Sequence, residues 1–200
     1  MTKMLVPQLT SAPAALVLTL AEIKAHVRVD TSDEDTFLTN LGAAATEHLD
    51  GWDGLLGKAL ITQTWRADFD KFPGVRRIGL PIGPVQTVVV KYSDSDNAEQ
   101  TWASSKYAVH EDNSEPFLWL DQGQDSWPAT YDRRDAVRIE TVVGYGAAST
   151  NIPEPIRQAM LLMVGDAYRN RETVAVGIAS KLPVSMATEA LLVNYRRLVF

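Results

Sequence analysis

The spacing of apolar residues divides the chain into helical blocks at both ends and a strand-rich block between them. Apolar positions recur every three to four residues after Thr19 and again after Ser32, which predicts two helices near the start of the chain. Thr19 and Glu22 have the spacing of a capping box, in which both side chains satisfy free backbone N–H groups at a helix start. The first helix is therefore expected to end near Val29, and the second in the glycine-rich stretch at 51–57.

In the middle of the chain, the period of the apolar residues changes from about 3.6 residues to 2 residues. Residues 61–69 alternate between apolar and polar side chains, as a half-buried strand does, and 85–92 and 135–145 are also strand-like. Turn residues separate these segments, and no repeat period relates them. Residues 60–146 are therefore predicted to form a β-rich block.

The helical period returns after Pro153, and the segment 151–174 predicts a helix that is apolar over more than half of its circumference. A last helix is expected between Val184 and the end of the chain. These elements predict an α+β protein, mainly a helical bundle core of about four helices with a β-rich insertion between the second and third helices. The corresponding divisions are a flexible N-terminal arm (1–15), a helical core (16–59 and 147–200) and the β-rich insertion (60–146).

The composition narrows the possible chemistry. The chain has no cysteine, which excludes disulfides, thiolate metal sites and cysteine nucleophiles. Its net charge of −6 argues against a general DNA-binding surface, but an acidic surface could let DNA slide past without sticking. No apolar run reaches about 18 residues, the length of a membrane-spanning helix, so no membrane partner is expected. The chain is interpreted as cytoplasmic.

Motifs for catalysis or cofactor binding are incomplete. The stretch GWDGLLGKAL resembles a phosphate-binding loop, but Ala59 follows Lys58 where that loop needs Ser or Thr. The three histidines do not have a metal-binding spacing. We therefore expect no catalytic residue, no cofactor and no metal, and we expect that the protein is not an enzyme. One enzymatic alternative stays open, a hydrolase or ligand-binding pocket in the β block around Trp102, His110 and Trp119.

Several side chains are candidates for contacts between subunits. The wide apolar stripe after Pro153 indicates a helix that is central in its own bundle or shared with a neighbour. Charges at its end fit the helix dipole, or ion pairs between subunits. Trp127, which precedes Pro128 in a predicted loop, could be an interface residue or a core anchor. The resulting subunit-interface hypothesis comprises Tyr168, Arg169, Arg171, Glu172 and Trp127.

Four stretches occur in an order that resembles a known family. They are LVLTLAEIKAHVRVDTSDEDTFL, AATEHLDGWDGLLGKALITQTW, LPIGPVQTVVVKY and VVGYG followed by IPEPIRQAMLLMVGDAYRNRETV. Together they resemble the head–tail connector family (adaptor or head-completion proteins) of long-tailed phages, prophages and gene transfer agents. The similarity covers roughly residues 16–200 and leaves out the N-terminal arm.

The resemblance implies a structural virion protein, a portal-binding ring of about twelve identical subunits (a dodecamer) between the portal and the tail or its stopper protein. DNA would pass through the lumen without sequence-specific binding. The protein would be in the host cytoplasm during assembly and in the virion neck afterwards. The resemblance places portal binding in the C-terminal segment, for which the candidate residues are Tyr195, Arg196, Arg197, Leu198 and Phe200. A variant truncated before Val184 is expected to keep its fold and lose portal binding. A tail or baseplate component is the alternative.

Overall fold

The computed structural model describes residues 4–111, 115–124, 126–171 and 185–197. In these ranges the chain forms one strand, two helices, seven strands and two further helices, in that order. The helices are α1 (Leu20–Val27), α2 (Asp35–Leu49), α3 (Glu154–Arg169) and α4 (Met186–Leu192). The strands are β1 (Gln8–Ser11), β2 (Gln63–Phe69), β3 (Arg77–Gly79), β4 (Val85–Ser93), β5 (Glu99–Trp102), β6 (Tyr107–Glu111), β7 (Pro116–Leu120) and β8 (Val137–Val143).

The strands form two antiparallel sheets. The larger sheet has the order β1-β2-β8-β4-β5, and the smaller has the order β3-β7-β6. Strand β8 lies at the centre of the larger sheet, where Thr141 is opposite Trp65 of β2 on one side and Val88 of β4 on the other. Alternate residues of β8 are buried, as expected for a strand with one face on a core.

Local sequence signals account for the helix ends. The Thr19 hydroxyl accepts from the backbone N of Glu22 (3.3 Å), and the Glu22 carboxylate accepts from the backbone N of Thr19 (2.7 Å). This confirms the predicted capping box. Helix α1 ends where Arg28 adopts a left-handed conformation (φ 60°), and α3 has Pro155 in its first turn, where the missing N–H costs nothing.

Three apolar clusters hold these elements together. The helical core cluster draws on both ends of the described chain and includes Leu38, Leu49, Ile156, Met160 and Leu192. The sheet core cluster lies between the two sheets and includes Phe69, Phe72, Leu118, Trp127 and Ile139. A small junction cluster of Ala59, Trp65, Ile82 and Val143 lies where the two regions meet.

Helix α3 is the central helix of the helical region. It packs against α1 and α2 and also against α4. Ile156, Ala159, Met160 and Val164 are buried, and Leu161 is half-buried. Its broad apolar stripe therefore contacts neighbouring helices of the same chain.

The predicted fold class, mainly a helical bundle core, is wrong. The described residues contain eight strands in two sheets, so the chain has a sheet-rich core and is not mainly a helical bundle with an insertion. The physical reason is that β2 and β8 pair along their full lengths although they lie at opposite ends of the 60–146 block. A local apolar period identifies each strand but contains no information about its partner.

The N-terminal stretch also contributes to the sheet. Strand β1 pairs with β2, and the Thr10 hydroxyl donates to the carbonyl oxygen of Thr64 (3.1 Å). All four residues of β1 are exposed, so the apolar pattern that identifies a strand is missing there. Among the described helices, none is long and apolar enough to cross a bilayer.

Candidate functional site

A groove of about 600 Å³ lies between the N-terminal stretch, α1, α2 and the start of β2. Its lining is mostly apolar, and its volume is within the range of pockets that bind small molecules or the side chains of a partner. Residues that line it include Leu9, Leu16, Ile23, Ala43, Glu47, Trp52, Asp53 and Trp65. Leu16 is 65% exposed and Leu9 is 46% exposed, so the groove has apolar edges open to solvent.

A polar chain forms one end of the groove. The Trp65 indole N–H donates to Gln63 Oε1 (3.1 Å), and the Gln63 amide donates to the carboxylate of Asp50 (3.0 and 3.1 Å). The same carboxylate accepts from the backbone N of Leu60 (2.6 Å). Because the indole can only donate, the direction of every bond in this chain is fixed. Asp50 must therefore accept.

The environment of Asp50 changes its titration. Burial raises the pKa of the Asp50 carboxyl above its ordinary value, although the hydrogen bonds from Leu60 and Gln63 act in the opposite direction. Both of its oxygens already accept bonds within the chain. The carboxylate therefore fixes the end of α2 to the start of β2, and the groove is suited to an apolar occupant.

A second junction lies around Arg197. Its backbone N donates to the carbonyl oxygen of Leu56 (2.9 Å), and its guanidinium donates to the carbonyl oxygen of Pro81 (2.6 Å) and lies 4.6 Å from the centre of the Trp52 ring. A Cβ at Gly57, whose φ is 60°, would lie 3.3 Å from Arg197 Cβ. The backbone conformation and the close approach thus both favour glycine at this position.

The predicted portal-binding residues have different environments. Tyr195 is half-buried against the helical core cluster, and Arg197 is held in the junction just described. Arg196 is exposed. Leu198 and Phe200 lie outside the described residues. Of the three described residues, Arg196 is therefore the one that is left accessible to a partner, and its role in portal binding stays a prediction.

The predicted subunit-interface residues at the end of α3 contact α2 of the same chain. Arg171 pairs with Glu34 (2.6 Å), and its guanidinium lies over the rings of Phe37 (4.9 Å) and Tyr168 (4.6 Å). The Tyr168 hydroxyl donates to Glu34 as well. The hydrogen bonds from Tyr168 and Arg171 lower the pKa of Glu34.

The remaining residues of this hypothesis have no such shared environment. Arg169 is exposed, and Glu172 lies outside the described residues. Trp127 is only 9% exposed, stacks on Phe72 at 5.1 Å between ring centres, and donates its indole N–H to the carbonyl oxygen of Val75 (2.9 Å). Its ring is therefore buried in the sheet core cluster, and little of its surface is available to a neighbouring subunit.

The aromatic residues of the alternative hydrolase hypothesis are divided between the two sheets. His110 and Trp119 lie on the outer face of the smaller sheet, where both flank Phe117. Trp102 belongs to β5 of the larger sheet and packs on Tyr92. Among the described residues, no group of three or more His, Asp or Glu side chains could hold a metal ion.

Sequence reasoning missed the groove and the residues that form it. Asp50 and Trp52 come just after α2, and Gln63 begins β2. Their positions relative to one another therefore depend on how α2 packs against β2. Met186 was not singled out either, although it is 89% exposed on the side of α4 opposite Thr188 and Leu192. The combination of an apolar groove and an exposed apolar helix is suited to contact between proteins.

Comparison with solved structures identifies the fold. No family model matches the chain, and no curated protein matches it. A chain in the "Neck of empty GTA particle computed with C6 symmetry" has 24% identity and a TM-score of 0.75, over 98% of this chain and 97% of that one. Chains in the "Virion of native gene transfer agent (GTA) particle" (23%, TM-score 0.72) and the "Neck of native GTA particle computed with C12 symmetry" (21%, TM-score 0.67) cover the same shares. The resemblance to head–tail connectors is thus confirmed at the level of the fold.

Proposed function

We propose that the protein is a structural subunit of the neck of a phage-like particle, where identical copies form a ring that joins the portal to the tail. The observation that carries this proposal is the shared fold with neck chains of gene transfer agent particles, because it extends over nearly the whole of both chains.

The symmetry of the similar structures supports a ring. Two of those necks were computed with C6 and C12 symmetry, respectively. A closed ring requires two different complementary surfaces on each subunit. We infer about twelve copies here, as the family resemblance implies.

The charge of the chain is compatible with a channel for DNA. A net charge of −6 disfavours tight contacts with phosphates, which would retard passage. On the outer face of the larger sheet, Arg66 pairs with Asp68 (2.8 Å) and Arg138 pairs with Glu99 (3.3 Å). Because these cations are paired with carboxylates of the same chain, they are less available to phosphates, and we propose that DNA passes through the lumen without sequence-specific binding.

We also propose that the C-terminal segment contacts the portal, with Arg196 as the residue to test. The complete protein and the portal protein of the same genome would be mixed, purified by a tag on the portal, and imaged by electron microscopy. The expected result is a stoichiometric complex with a ring on one end of the portal. Arg196→Glu should weaken retention about tenfold, as expected for a charge contact at an interface.

Two outcomes separate this proposal from its alternatives. A protein that neither associates with itself nor is retained by the portal contradicts the connector function. Retention by a tail or baseplate protein, without retention by the portal, would favour a tail component. Arg134→Glu, which makes the same change of charge at an exposed residue of the turn before β8, is the matched control for Arg196→Glu and should not affect portal retention.

A further inference from the structure

Helix α4 exposes an apolar face that no described part of the chain covers. Met186 is 89% exposed and Val193, just after the helix, is 58% exposed. With Ala190 they are spaced by four and three residues, so they lie on one stripe, while Thr188 and Leu192 face inward and are each 1% exposed. A methionine on such a surface adapts its shape to a partner.

The groove described above is an apolar surface of complementary kind. Apolar side chains of a helix that are spaced by three to four residues fit into apolar grooves on partner proteins. The groove is lined by residues from the N-terminal stretch, α1, α2 and β2, and none of its lining residues belongs to α3 or α4. A helix in this groove would cover Leu16, which is 65% exposed.

The two surfaces cannot meet within one subunit. Thr188 and Leu192 turn one side of α4 towards the core of its own subunit, so the opposite side, which carries Met186, faces away from that subunit. Of the described residues from α4 onward, only Arg197, just beyond the helix, reaches the groove of the same chain, at the Trp52 ring. Contact between them therefore requires a second copy of the chain. Because the two surfaces differ, each copy would use α4 towards one neighbour and the groove towards the other, which is the head-to-tail arrangement that generates rings.

From these observations we propose that the Met186–Ala190–Val193 face of α4 in one subunit docks into the groove of the next subunit. The proposal rests on the ring function and adds the contact that builds the ring. The occupant is a second copy of this chain, because the solved necks that contain a chain of this fold were computed with cyclic symmetry.

The absence of cysteine makes a cross-linking test specific. A Met186→Cys protein with a larger tag would be mixed with an Ala43→Cys protein and treated with a short bis-maleimide, over a range of concentrations. Ala43 lines the groove, whereas the next residue, Ala44, is also exposed but is not part of the lining. We expect the Met186→Cys and Ala43→Cys pair to give at least fivefold more mixed dimer than Met186→Cys with Ala44→Cys.

The double variant Met186→Cys, Ala43→Cys tests the head-to-tail arrangement. It should give a ladder of trimers and larger species, because each copy has one reactive site for each neighbour. A ladder that stops at the dimer, or a mixed-dimer yield equal to that of the Ala44→Cys control, overturns the proposal. A ring that forms on the portal without the Met186–Ala43 product rejects this contact and leaves the neck function standing. Failure to bind the portal, by contrast, counts against the neck function itself.

A second measurement does not depend on cross-linking. Met186→Asp should weaken self-association at least tenfold and leave the unfolding transition unchanged, because the side chain is almost fully exposed. Unchanged self-association in this variant contradicts the docking.

Discussion

The helical region and the two-sheet region bury their apolar residues in different ways. The sheet core cluster comes from one continuous stretch, from Ala67 to Ile139, and its aromatic rings pack on one another inside the two sheets. The helical core cluster joins residues from Val17 to Leu192 and still leaves Leu16 and Met186 more than half exposed. The sheet region also exposes apolar side chains, such as Val75, which is 63% exposed. In the helical region, however, Leu16 lines a groove and Met186 begins an exposed helix face, and both are surfaces suited to a partner.

The charges on the larger sheet also differ from those at the rim of the groove. On the larger sheet, Arg66, Asp68, Arg138 and Glu99 form a network of paired charges on the outer face. At the groove, the carboxylates of Glu47 and Asp53 are exposed beside an apolar surface. Apolar surface with charges at its rim is the usual composition of a protein interface.

The largest expected effect tests whether the sheet region is closed. Trp127→Ala should lower the free energy of unfolding by about 3–5 kcal/mol, because it leaves a cavity beside Phe72 and removes the hydrogen bond to Val75. Urea unfolding followed by circular dichroism measures this change. The folded fraction should still associate with itself as the unchanged protein does.

A matched substitution in the same region controls this experiment. Trp119 is 41% exposed on the outer face of the smaller sheet, and Trp119→Ala should cost only about 1 kcal/mol for its lost contact with Phe117. Equal destabilisation by both substitutions would contradict the assignment of Trp127 to a closed core. Loss of assembly without loss of stability in Trp127→Ala would restore the interface hypothesis.

Sequence patterns predicted the elements of both regions but not how the regions are joined. Thr19 and Glu22 are close neighbours in sequence, so the start of α1 could be predicted from them alone. Strand β1 has no apolar alternation and forms because β2 offers an open edge, which a local pattern cannot reveal. The weight of the sheets was underestimated for the same reason, since strand pairing depends on distant residues.

The candidate site was harder to predict than the fold. The groove requires α2, the N-terminal stretch and β2 to meet, and its polar end requires Gln63 to lie between Asp50 and Trp65. Trp127 was ambiguous because a loop tryptophan before Pro128 occurs both in cores and at interfaces. The neck function came from the family resemblance, because composition and periodicity alone did not favour it over other assemblies.

Arg197 forms the contact that joins the two regions. Arg197→Met keeps the apolar part of the side chain but removes the charged hydrogen bond to Pro81 and the contact with the Trp52 ring. We expect the free energy of unfolding to fall by about 2–3 kcal/mol. Arg196→Met changes the exposed neighbour and should stay within about 0.5 kcal/mol of the unchanged protein. If both variants behave alike, Arg197 does not join the two regions.

This contact also changes how the C-terminal segment should be tested. A truncation before Val184 would remove Leu192 from the helical core cluster and Arg197 from the junction. The structure therefore argues against the expectation that such a variant keeps its fold. Loss of portal binding after this truncation would be expected from unfolding alone, so single substitutions at exposed positions are the informative variants.

The smallest expected effect concerns the polar end of the groove and depends on pH. Because the pKa of Asp50 is raised above 3.8 in the folded protein, its contribution to stability is fully present below that pH and is lost as pH rises through the folded pKa. Asp50→Asn lacks this titration, so the stability of the unchanged protein minus that of the variant should fall as pH increases from 4 towards neutrality. The change cannot exceed about 1.4 kcal/mol per pH unit for one proton.

Urea midpoints of both proteins between pH 4 and 7 measure this difference. Subtraction is needed because Glu22 acts in the opposite direction: burial raises its pKa, but hydrogen bonds from Thr19 and the charge of Arg157 lower it overall. Asp53→Asn, an exposed carboxyl of the same loop, is the control for charge removal. A difference between unchanged protein and Asp50→Asn that grows with pH would mean that hydrogen bonding outweighs burial at Asp50. In that case the ionised carboxylate of Asp50 would stabilise the junction, because its hydrogen bonds would contribute more than the cost of its burial.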